Sequence, residues 1–472
     1  LSTVIALSPP PIEEAMVILR RAKDAAHLSA ALADLSRTWP LMQVTNALTK
    51  FADASLRAAI AVAAAESAKR GDIVAGAFDR NAGPVPGVAL IAMGKMGAGE
   101  LNYSSDIDFS VFFDSEKLAA AGAREPRVAA VRLVAPLVRT LEEVTPDGYV
   151  FRTDLRLRPD PGSTPVAVSI ASAEHYYQTL GQNWERAAFI KARAAAGDRE
   201  AGAEFLDSLV PFIWRKHLDF AAVEDVHSIK RQILSAHKSA ELGEPVFDVK
   251  LGRGGIRDIE LFAQTQQLIL GGRNKRLRSP HTLEALSDLV GAGAISQEAC
   301  DALHESYVFF REVEHRIQML EDAQTHRVPA DPVDREGGAA IEIGLDQDRF
   351  RLPVAIEIRQ ANATVLEDRV RTQAKQQALS VPLDDEPAGF DRIPQNAMAI
   401  ARRRIDEIGD HSPAPGDLAI RQTQEVLSLR AAAIADGQSH RHDQVAHPVS
   451  QHVSLSPAPS RHSGPGRAPQ WR

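Results

Sequence analysis

The sequence contains a single cysteine, Cys300, among its 472 residues. One cysteine excludes an intramolecular disulfide and a zinc site built on several thiolates, and we expect Cys300 to be a small buried residue of a helix. Aromatic residues are also scarce, at 5% of the chain, whereas hydrophobic residues make up 44%. The cores are therefore expected to be built from Ala, Leu, Val and Ile, in a mainly helical fold, because alanine favours helices.

Long hydrophobic runs are absent as well. No apolar run approaches the ~20 residues that span a bilayer, and the N-terminus lacks a basic stretch followed by an apolar one. We therefore expect a cytoplasmic protein without a membrane partner. The net charge of −8 argues against nucleic acid as a partner, since such binders usually carry a basic face or domain. This overall charge still allows a local basic pocket for phosphate groups.

Changes in periodicity divide the chain into four predicted segments: 1–80, 81–200, 201–335 and 336–472. Apolar residues at three- and four-residue spacing predict helices in the first segment and again from 172 to 330. The last segment ends in a stretch rich in Pro, Ser, His and Arg, and we expect it to be a poorly ordered tail. Its composition also fits a chain read out of frame near its end, an alternative that the coding DNA would test.

Four short runs between residues 87 and 170 are typical of strands, because they are apolar or alternate apolar with polar side chains. These runs are 88–93, 107–113, 149–157 and 166–170. A helical segment over 124–143 separates the second run from the third. The sequence thus predicts an α+β fold that is mainly α, with a small mixed sheet embedded in helical segments.

The segment 94–109, GKMGAGELNYSSDIDF, combines a glycine-rich turn with two aspartates. The turn begins at Gly94 and permits close backbone approach to a phosphate, while Lys95 adds a positive charge. Asp106 and Asp108 are separated by one residue, so on a strand both carboxylates point to the same face. Paired carboxylates on one face suit a hard divalent cation such as Mg²⁺.

A third carboxylate, Asp154, lies in the third predicted strand and alternates onto one face with Arg152, Arg156 and Arg158. Three acids and several arginines on one sheet face can hold two metal ions and a polyphosphate, as in-line displacement at phosphorus requires. The alternatives are a solvated strand edge for the aspartate pair and a structural ion-pair ladder for Asp154. The three features together, in this order, favour the catalytic interpretation.

The order of these motifs resembles the glutamine synthetase adenylyltransferase family. Lys95 stands where other nucleotidyltransferases have Gly or Ser, as is typical of this family. The matching strings are GKMGAGELNYSSDID (94–108), VFRTDLRLRPDPGSTP (150–165), WERAAFIKARAAAGD (184–198), FDVKLGRGGIRDIE (247–260) and EHRIQMLEDAQTHRVP (314–329). The resemblance covers about residues 30–330. In this family an N-terminal module removes AMP from a tyrosine of glutamine synthetase by phosphorolysis, and a C-terminal module adds it from ATP.

The resemblance implies a nucleotidyltransferase domain at 81–200 that uses Mg²⁺ and acts on glutamine synthetase. ATP or ADP and phosphate are the implied small-molecule partners, and a PII-type signalling protein is a further candidate partner. The implied catalytic and metal-binding residues are Asp106, Asp108 and Asp154. The implied nucleotide- and phosphate-binding residues are Gly94, Lys95, Ser105, Arg156, Arg158, Lys191 and Arg193.

One copy of each motif is present in this sequence, and its lead-in, Trp39-Pro40-Leu41, resembles that of the N-terminal module. Adenylyl removal is therefore the expected activity. The ATP-dependent forward reaction and a catalytically idle binding module are the alternatives. Residues 248–260 are expected either to form a second wall of the active cleft or to belong to a buried polar network between helices.

Overall fold

Two long helices open the part of the chain that the computed structural model describes, which comprises residues 9–74, 85–216, 248–252, 254–321 and 324–328. They are α1 (Ile12–Leu35) and α2 (Leu41–Lys69). Pro40 immediately precedes α2, where its fixed φ and missing N–H suit the start of a helix. Both helices were predicted from the spacing of their apolar residues.

A five-stranded mixed sheet follows: β1 (Val88–Ala92), β2 (Ile107–Phe113), β3 (Thr153–Asp154), β4 (Ala167–Ser169) and β5 (Arg193–Gly197). β1 lies antiparallel between β2 and β5. β3 and β4 pair in parallel with different parts of β2. The first, second and fourth predicted strands are confirmed, with small differences at their ends.

The third predicted strand, over 149–157, was wrong in length, since only Thr153–Asp154 pair with β2. The chain leaves the sheet here because Arg156 folds back onto Asp154, donating from its backbone N–H and from its guanidinium. The expected alternation of Arg158 onto the same face therefore does not occur. The prediction of helix from residue 172 onward was also wrong at β5, whose RAAAG sequence forms an edge strand against β1.

Helices surround the sheet and continue beyond it. Between the strands lie α3 (Gly94–Gly97), α4 (Ser115–Ala120), α5 (Pro126–Glu142), α6 (Ile170–Thr179) and α7 (Asn183–Phe189), and after β5 come α8 (Arg199–Ser208) and α9 (Val210–Ile213). The later segment forms α10 (Ile256–Leu270), a 3₁₀ turn at Lys275–Leu277, α11 (Thr282–Gly291) and α12 (Gln297–Glu321). The predicted α+β fold, mainly α with a small mixed sheet, is confirmed.

Three apolar clusters make up the core. One joins α1, α2 and α5 to the sheet through residues such as Leu56, Leu90 and Leu137. A second packs α6 to α9 against the sheet residues Ala89 and Ile91. A third holds α10, α11 and α12 together and contains Cys300, which is buried in a helix as predicted.

The predicted segments differ in how much of them is described. The first cluster crosses the boundary predicted at residue 80, so the N-terminal helices share a core with the sheet. Residues 217–247 and all of 336–472 lie outside the described residues, so the boundary predicted at residue 335 stays a prediction. Within the described residues, no helix is both long enough and apolar enough to cross a membrane.

Candidate active site

The glycine-rich turn lies between β1 and β2 and is shaped by close packing. Met93 N donates to Asp108 O at 2.9 Å, and α3 begins at Gly94, whose φ is +54°. A Cβ on Gly94 would overlap the carboxylate of Asp108, and a Cβ on Gly97 would overlap the carbonyl oxygen of Lys191. Gly94 therefore leaves room for a carboxylate, and Gly97 lets the chain before β5 lie directly on the turn. Phosphate approach, the predicted reason for these glycines, stays a prediction.

Three carboxylates meet at the start of β2. Asp106 directly precedes the strand, Asp108 is its second residue, and the parallel register places Asp154 of β3 opposite Asp108. Burial raises the pKa of Asp108 to about 7, and the nearby charges of Asp154 and Asp106 add to this effect. The positive charges around Asp108 therefore do not fully neutralise the negative charge of the carboxylates there.

Two arginines compensate the other acids. Arg152 Nε donates to Asp106 Oδ1 at 2.7 Å, and Arg156 reaches both oxygens of Asp154 at 2.6–3.0 Å. Burial alone would raise the pKa of Asp154, but the hydrogen bonds from Arg156 outweigh it, so this pKa is lowered. Asp154 thus has the ion-pair partner that the structural alternative required, and it also faces Asp108 as the catalytic interpretation required.

The donor set fits a divalent cation by its chemistry. Carboxylate oxygens are the preferred protein ligands of Mg²⁺. A cation would also relieve the repulsion among the acids, which adds to the effect of burial on the pKa of Asp108. In the described part of the chain, no group of three or more His, Cys, Asp or Glu side chains is arranged to hold a metal ion directly. The ion pairs of Asp106 and Asp154 with arginines give the physical reason, since a cation would have to displace them.

The basic residues predicted to bind phosphate are mostly engaged elsewhere. Arg158 is buried and donates to the carbonyl oxygens of Leu155, Pro161, Thr164 and Pro165, so it braces its own loop. This placement differs from the predicted one because the chain leaves the sheet after Asp154.

Arg193 also has partners of its own, donating to Asp53 Oδ1 at 2.7 Å and to the carbonyl oxygens of Gly97 and Met96. It thereby clamps the turn from the side of α2. Ser105 is half-buried beside Asp106, and its hydroxyl makes no hydrogen bond with the described residues.

Lys95 lies under the glycine-rich turn and pairs with Glu314 of α12, donating to both carboxylate oxygens at 2.9–3.0 Å. Burial lowers the pKa of Lys95 to about 7, although the charge of Glu314 opposes the shift. Glu314 is fully buried and also contacts Arg311 and His326. The side chain next to Gly94 is therefore held by an ion pair with α12.

Lys191 is buried in a polar network. Its ammonium donates to Glu100 Oε2 at 3.0 Å, Glu260 Oε1 at 2.9 Å and Thr282 Oγ1 at 3.3 Å. Burial would lower the pKa of Lys191, but the two carboxylates raise it. Gln267, on the face of α10 that Glu260 shares, donates to the carbonyl oxygens of Leu277, the last residue of the 3₁₀ turn, and of Ser279. Glu260 and Gln267 thus match the buried-network alternative for this segment.

Three further side chains border the carboxylates. Lys250 lies in the segment that was expected to form a second wall of the cleft or a buried network, whereas Gln324 and His326 were assigned no role from the sequence. Gln324 Nε2 donates to Asp106 Oδ2 at 2.9 Å, His326 Nε2 lies 3.4 Å from Lys250 Nζ, and the charge of Lys250 acts to lower the pKa of Asp108. These residues form one wall of the site. Along the chain they lie about 100 residues or more from each of the three acids, so no local spacing signal could have shown these contacts. Arg253, in the same turn as Lys250, lies outside the described residues.

Two protein-family profiles match parts of this sequence. The profile of the family described as glutamate-ammonia ligase adenylyltransferase matches residues 1–208. Residues 1–208 belong to this family. The matched stretch contains the glycine-rich turn, all three carboxylates and the whole five-stranded sheet. A second profile, described as GlnD PII-uridylyltransferase, matches residues 227–365, which include Lys250 and α10 to α12.

Several curated relatives have names that agree with the first profile. A bifunctional glutamine synthetase adenylyltransferase/adenylyl-removing enzyme of Caulobacter vibrioides is 54% identical over 332 residues, which are 70% of this chain and 34% of the relative. An enzyme with the same name from Bradyrhizobium diazoefficiens is 51% identical over 328 residues, which are 69% of this chain and 33% of the relative.

A further relative with this name, from Xanthobacter autotrophicus, is 44% identical over 437 residues, which are 90% of this chain and 44% of the relative. This match therefore extends beyond residue 335, into the segment predicted to be a poorly ordered tail. The chain spans a third to less than half of the length of these three relatives.

Proposed function

We propose that this chain transfers an adenylyl group on glutamine synthetase, and that it removes AMP from an adenylylated tyrosine by phosphorolysis to give ADP. The observation that carries the proposal is the register of β2 and β3, which gathers Asp106, Asp108 and Asp154 beside the glycine-rich turn. Family membership of residues 1–208 and the relatives' names support the substrate. The lead-in before α2 supports the direction.

Asp106, Asp108 and Asp154 would hold Mg²⁺ in this site. When bound, the ion supplies positive charge to the phosphoryl oxygens, where negative charge develops during displacement. Arg152 and Arg156 pair with the carboxylates of Asp106 and Asp154, and these pairings would be replaced when the ion binds. Because Gly94 has no side chain, there is room beside it for the carboxylate of Asp108.

The proposed reaction requires that the phosphate and the adenylyl group be positioned, and it does not require a protein base. An oxygen of hydrogen phosphate forms a bond to the α-phosphorus, and the bond from that phosphorus to the tyrosine oxygen breaks. The departing phenolate takes up the proton that the hydrogen phosphate gives up, so ADP and free tyrosine form. Because phosphate is already an anion, alignment and charge stabilisation can supply the catalysis.

The forward reaction, in which ATP adenylylates the tyrosine, would use the same carboxylates. A PII-type protein as regulatory partner and a cytoplasmic location complete the proposal. The match of residues 227–365 to the GlnD PII-uridylyltransferase profile supports the connection to PII.

The test supplies the purified full chain and Mg²⁺ with two substrate pairs in parallel. One reaction contains adenylylated glutamine synthetase and phosphate, and the other contains unmodified glutamine synthetase and ATP. We expect ADP to form in the first reaction, in proportion to the AMP lost from the protein. Adenylylation in the second reaction alone would reverse the proposed direction, and no product in either from a folded chain would favour the idle binding module.

A further inference from the structure

The chain after α12 brings two polar side chains to the edge of the carboxylate cluster. Gln324 Nε2 donates to Asp106 Oδ2 at 2.9 Å. Two residues later, His326 lies beside Lys250, with 3.4 Å between Nε2 and Nζ. The backbone secures this pairing, because Val249 N donates to the carbonyl oxygen of His326 at 2.9 Å. Lys250 and His326 are thus fixed side by side at the wall of the site.

The Lys250 ammonium has hydrogen-bond donors that the described residues leave unused. An ammonium carries three donors, and within the described residues only His326 lies within hydrogen-bond distance of it. The carboxylate closest in sequence, Asp248, accepts instead from the backbone N–H groups of Lys250 and Leu251 at 2.9 and 2.7 Å. No carboxylate of the described residues pairs with this partly exposed ammonium, which is therefore suited to an anionic ligand.

The other cations near the site lack this freedom. Lys191 directs its donors at two carboxylates and a hydroxyl, and Arg156 holds Asp154 through both oxygens. Lys95 donates twice to the buried Glu314. An incoming phosphate would add negative charge next to three carboxylates, so a cation free to contact it is needed there.

We infer that Lys250, with His326 beside it, binds the inorganic phosphate that attacks the adenylyl group. Glu314 acts as a positioning residue, since its Oε1 lies 3.1 Å from His326 Nδ1, at ion-pair distance though without hydrogen-bond alignment. The inference rests on the proposed phosphorolysis and names the subsite of its nucleophile. The bond changes are those given above for the proposed reaction.

The test measures equilibrium binding of radiolabelled inorganic phosphate to the full chain in the presence of Mg²⁺. Lys250→Met is expected to weaken binding at least about tenfold, because it removes a charge-assisted hydrogen bond. Lys250→Arg keeps the charge and should retain part of the binding. Lys275→Met, the same change at an exposed lysine of the 3₁₀ turn, should leave binding unaltered. In the ADP-release assay, the KM for phosphate should rise in Lys250→Met while the KM for adenylylated glutamine synthetase stays constant.

Equal phosphate binding by the wild type and Lys250→Met would overturn the inference, and so would a wild type that binds no phosphate. Equal weakening in Lys275→Met would also overturn it, since the effect would then reflect overall charge. Phosphate binding that depends on Lys250 without any ADP release would uphold the subsite and refute the proposed phosphorolysis. The two proposals therefore fail by different observations.

Discussion

Replacing Lys191 with methionine removes the central charge of the network that joins the sheet to the later helices. Methionine keeps most of the length and the apolar stem of lysine, so the change creates little space. Glu100, which follows the glycine-rich turn, and Glu260 of α10 would then lose their shared ammonium. Thr282 of α11 would lose the same donor. Two carboxylates would be left buried without their cation.

The expected loss is about 3–5 kcal/mol, the usual cost of removing one partner from a buried ion pair. That is a large fraction of the roughly 5–15 kcal/mol by which folded domains are stable. Burial would raise the pKa of Glu260, yet the charges of Lys191 and Lys95 lower it to about 2, so this carboxylate is ionised at neutral pH because of them. In the variant Glu260 would take up a proton more readily, so the loss should shrink as the pH falls from 8 to 5.

Urea denaturation followed by circular dichroism measures this effect. The control is Lys117→Met, whose ammonium lies 3.4 Å from Glu204 in a pair with 41% and 68% of the two side chains exposed. Exposed pairs contribute about 0–1 kcal/mol, so the control should unfold almost as the wild type does. A free energy of unfolding of Lys191→Met within about 1 kcal/mol of the wild-type value would contradict the expected cost of the broken ion pair. A loss equal to that of Lys117→Met would contradict it as well.

Three further outcomes are expected. Burial raises the pKa of Glu185 to about 7, so the folded chain keeps a proton that the unfolded chain releases near pH 4.5, and this group's contribution falls by about 3 kcal/mol between those pH values. Glu185→Gln should remove that fall in urea titrations at pH 5 and 8, and an unchanged fall would contradict the burial of this carboxyl.

Gly97→Ala should destabilise the fold by about 1–3 kcal/mol, since its Cβ would overlap a backbone carbonyl, whereas Gly291→Ala, which meets open space, should change stability by less than about 1 kcal/mol. Thermal unfolding compares the two, and equal effects would count against the close packing of the turn. Asp108→Asn should abolish nucleotidyl transfer yet raise the free energy of unfolding by about 1–3 kcal/mol in EDTA at pH 8, because it removes the cost of burying this charge and the repulsion from the other two acids. A destabilised Asp108→Asn variant would argue against that repulsion.

Local patterns predicted much of the fold and the acidic part of the site. The apolar stripes of α1 and α2 and the alternation in β2 are properties of short segments, and they were interpreted correctly. The same period of two placed Asp106 and Asp108 on one face. Their meeting with Asp154 followed from the order of the strands, and the register of β2 and β3 brings Asp154 opposite Asp108.

The errors arose where distant contacts decide the outcome. The alanines of β5 favour a helix, and only pairing with β1 makes them a strand. Lys191 and Arg158 carry the charges expected of phosphate ligands, but the sequence does not show their partners. Glu100 lies 91 residues from Lys191 along the chain. The carbonyl oxygens that accept from Arg158 come within reach of it only because the chain turns after Asp154.

The measurement that tests the central claim most directly is phosphate-dependent release of ADP from adenylylated glutamine synthetase by the wild type and by Asp106→Asn. Asp106 is partly exposed and paired with Arg152, so the near-isosteric change should leave the fold intact by circular dichroism. We expect the wild type to release ADP only when both phosphate and Mg²⁺ are present, and we expect Asp106→Asn to release none. Wild-type turnover by Asp106→Asn would contradict the assignment of the carboxylate cluster as the catalytic site.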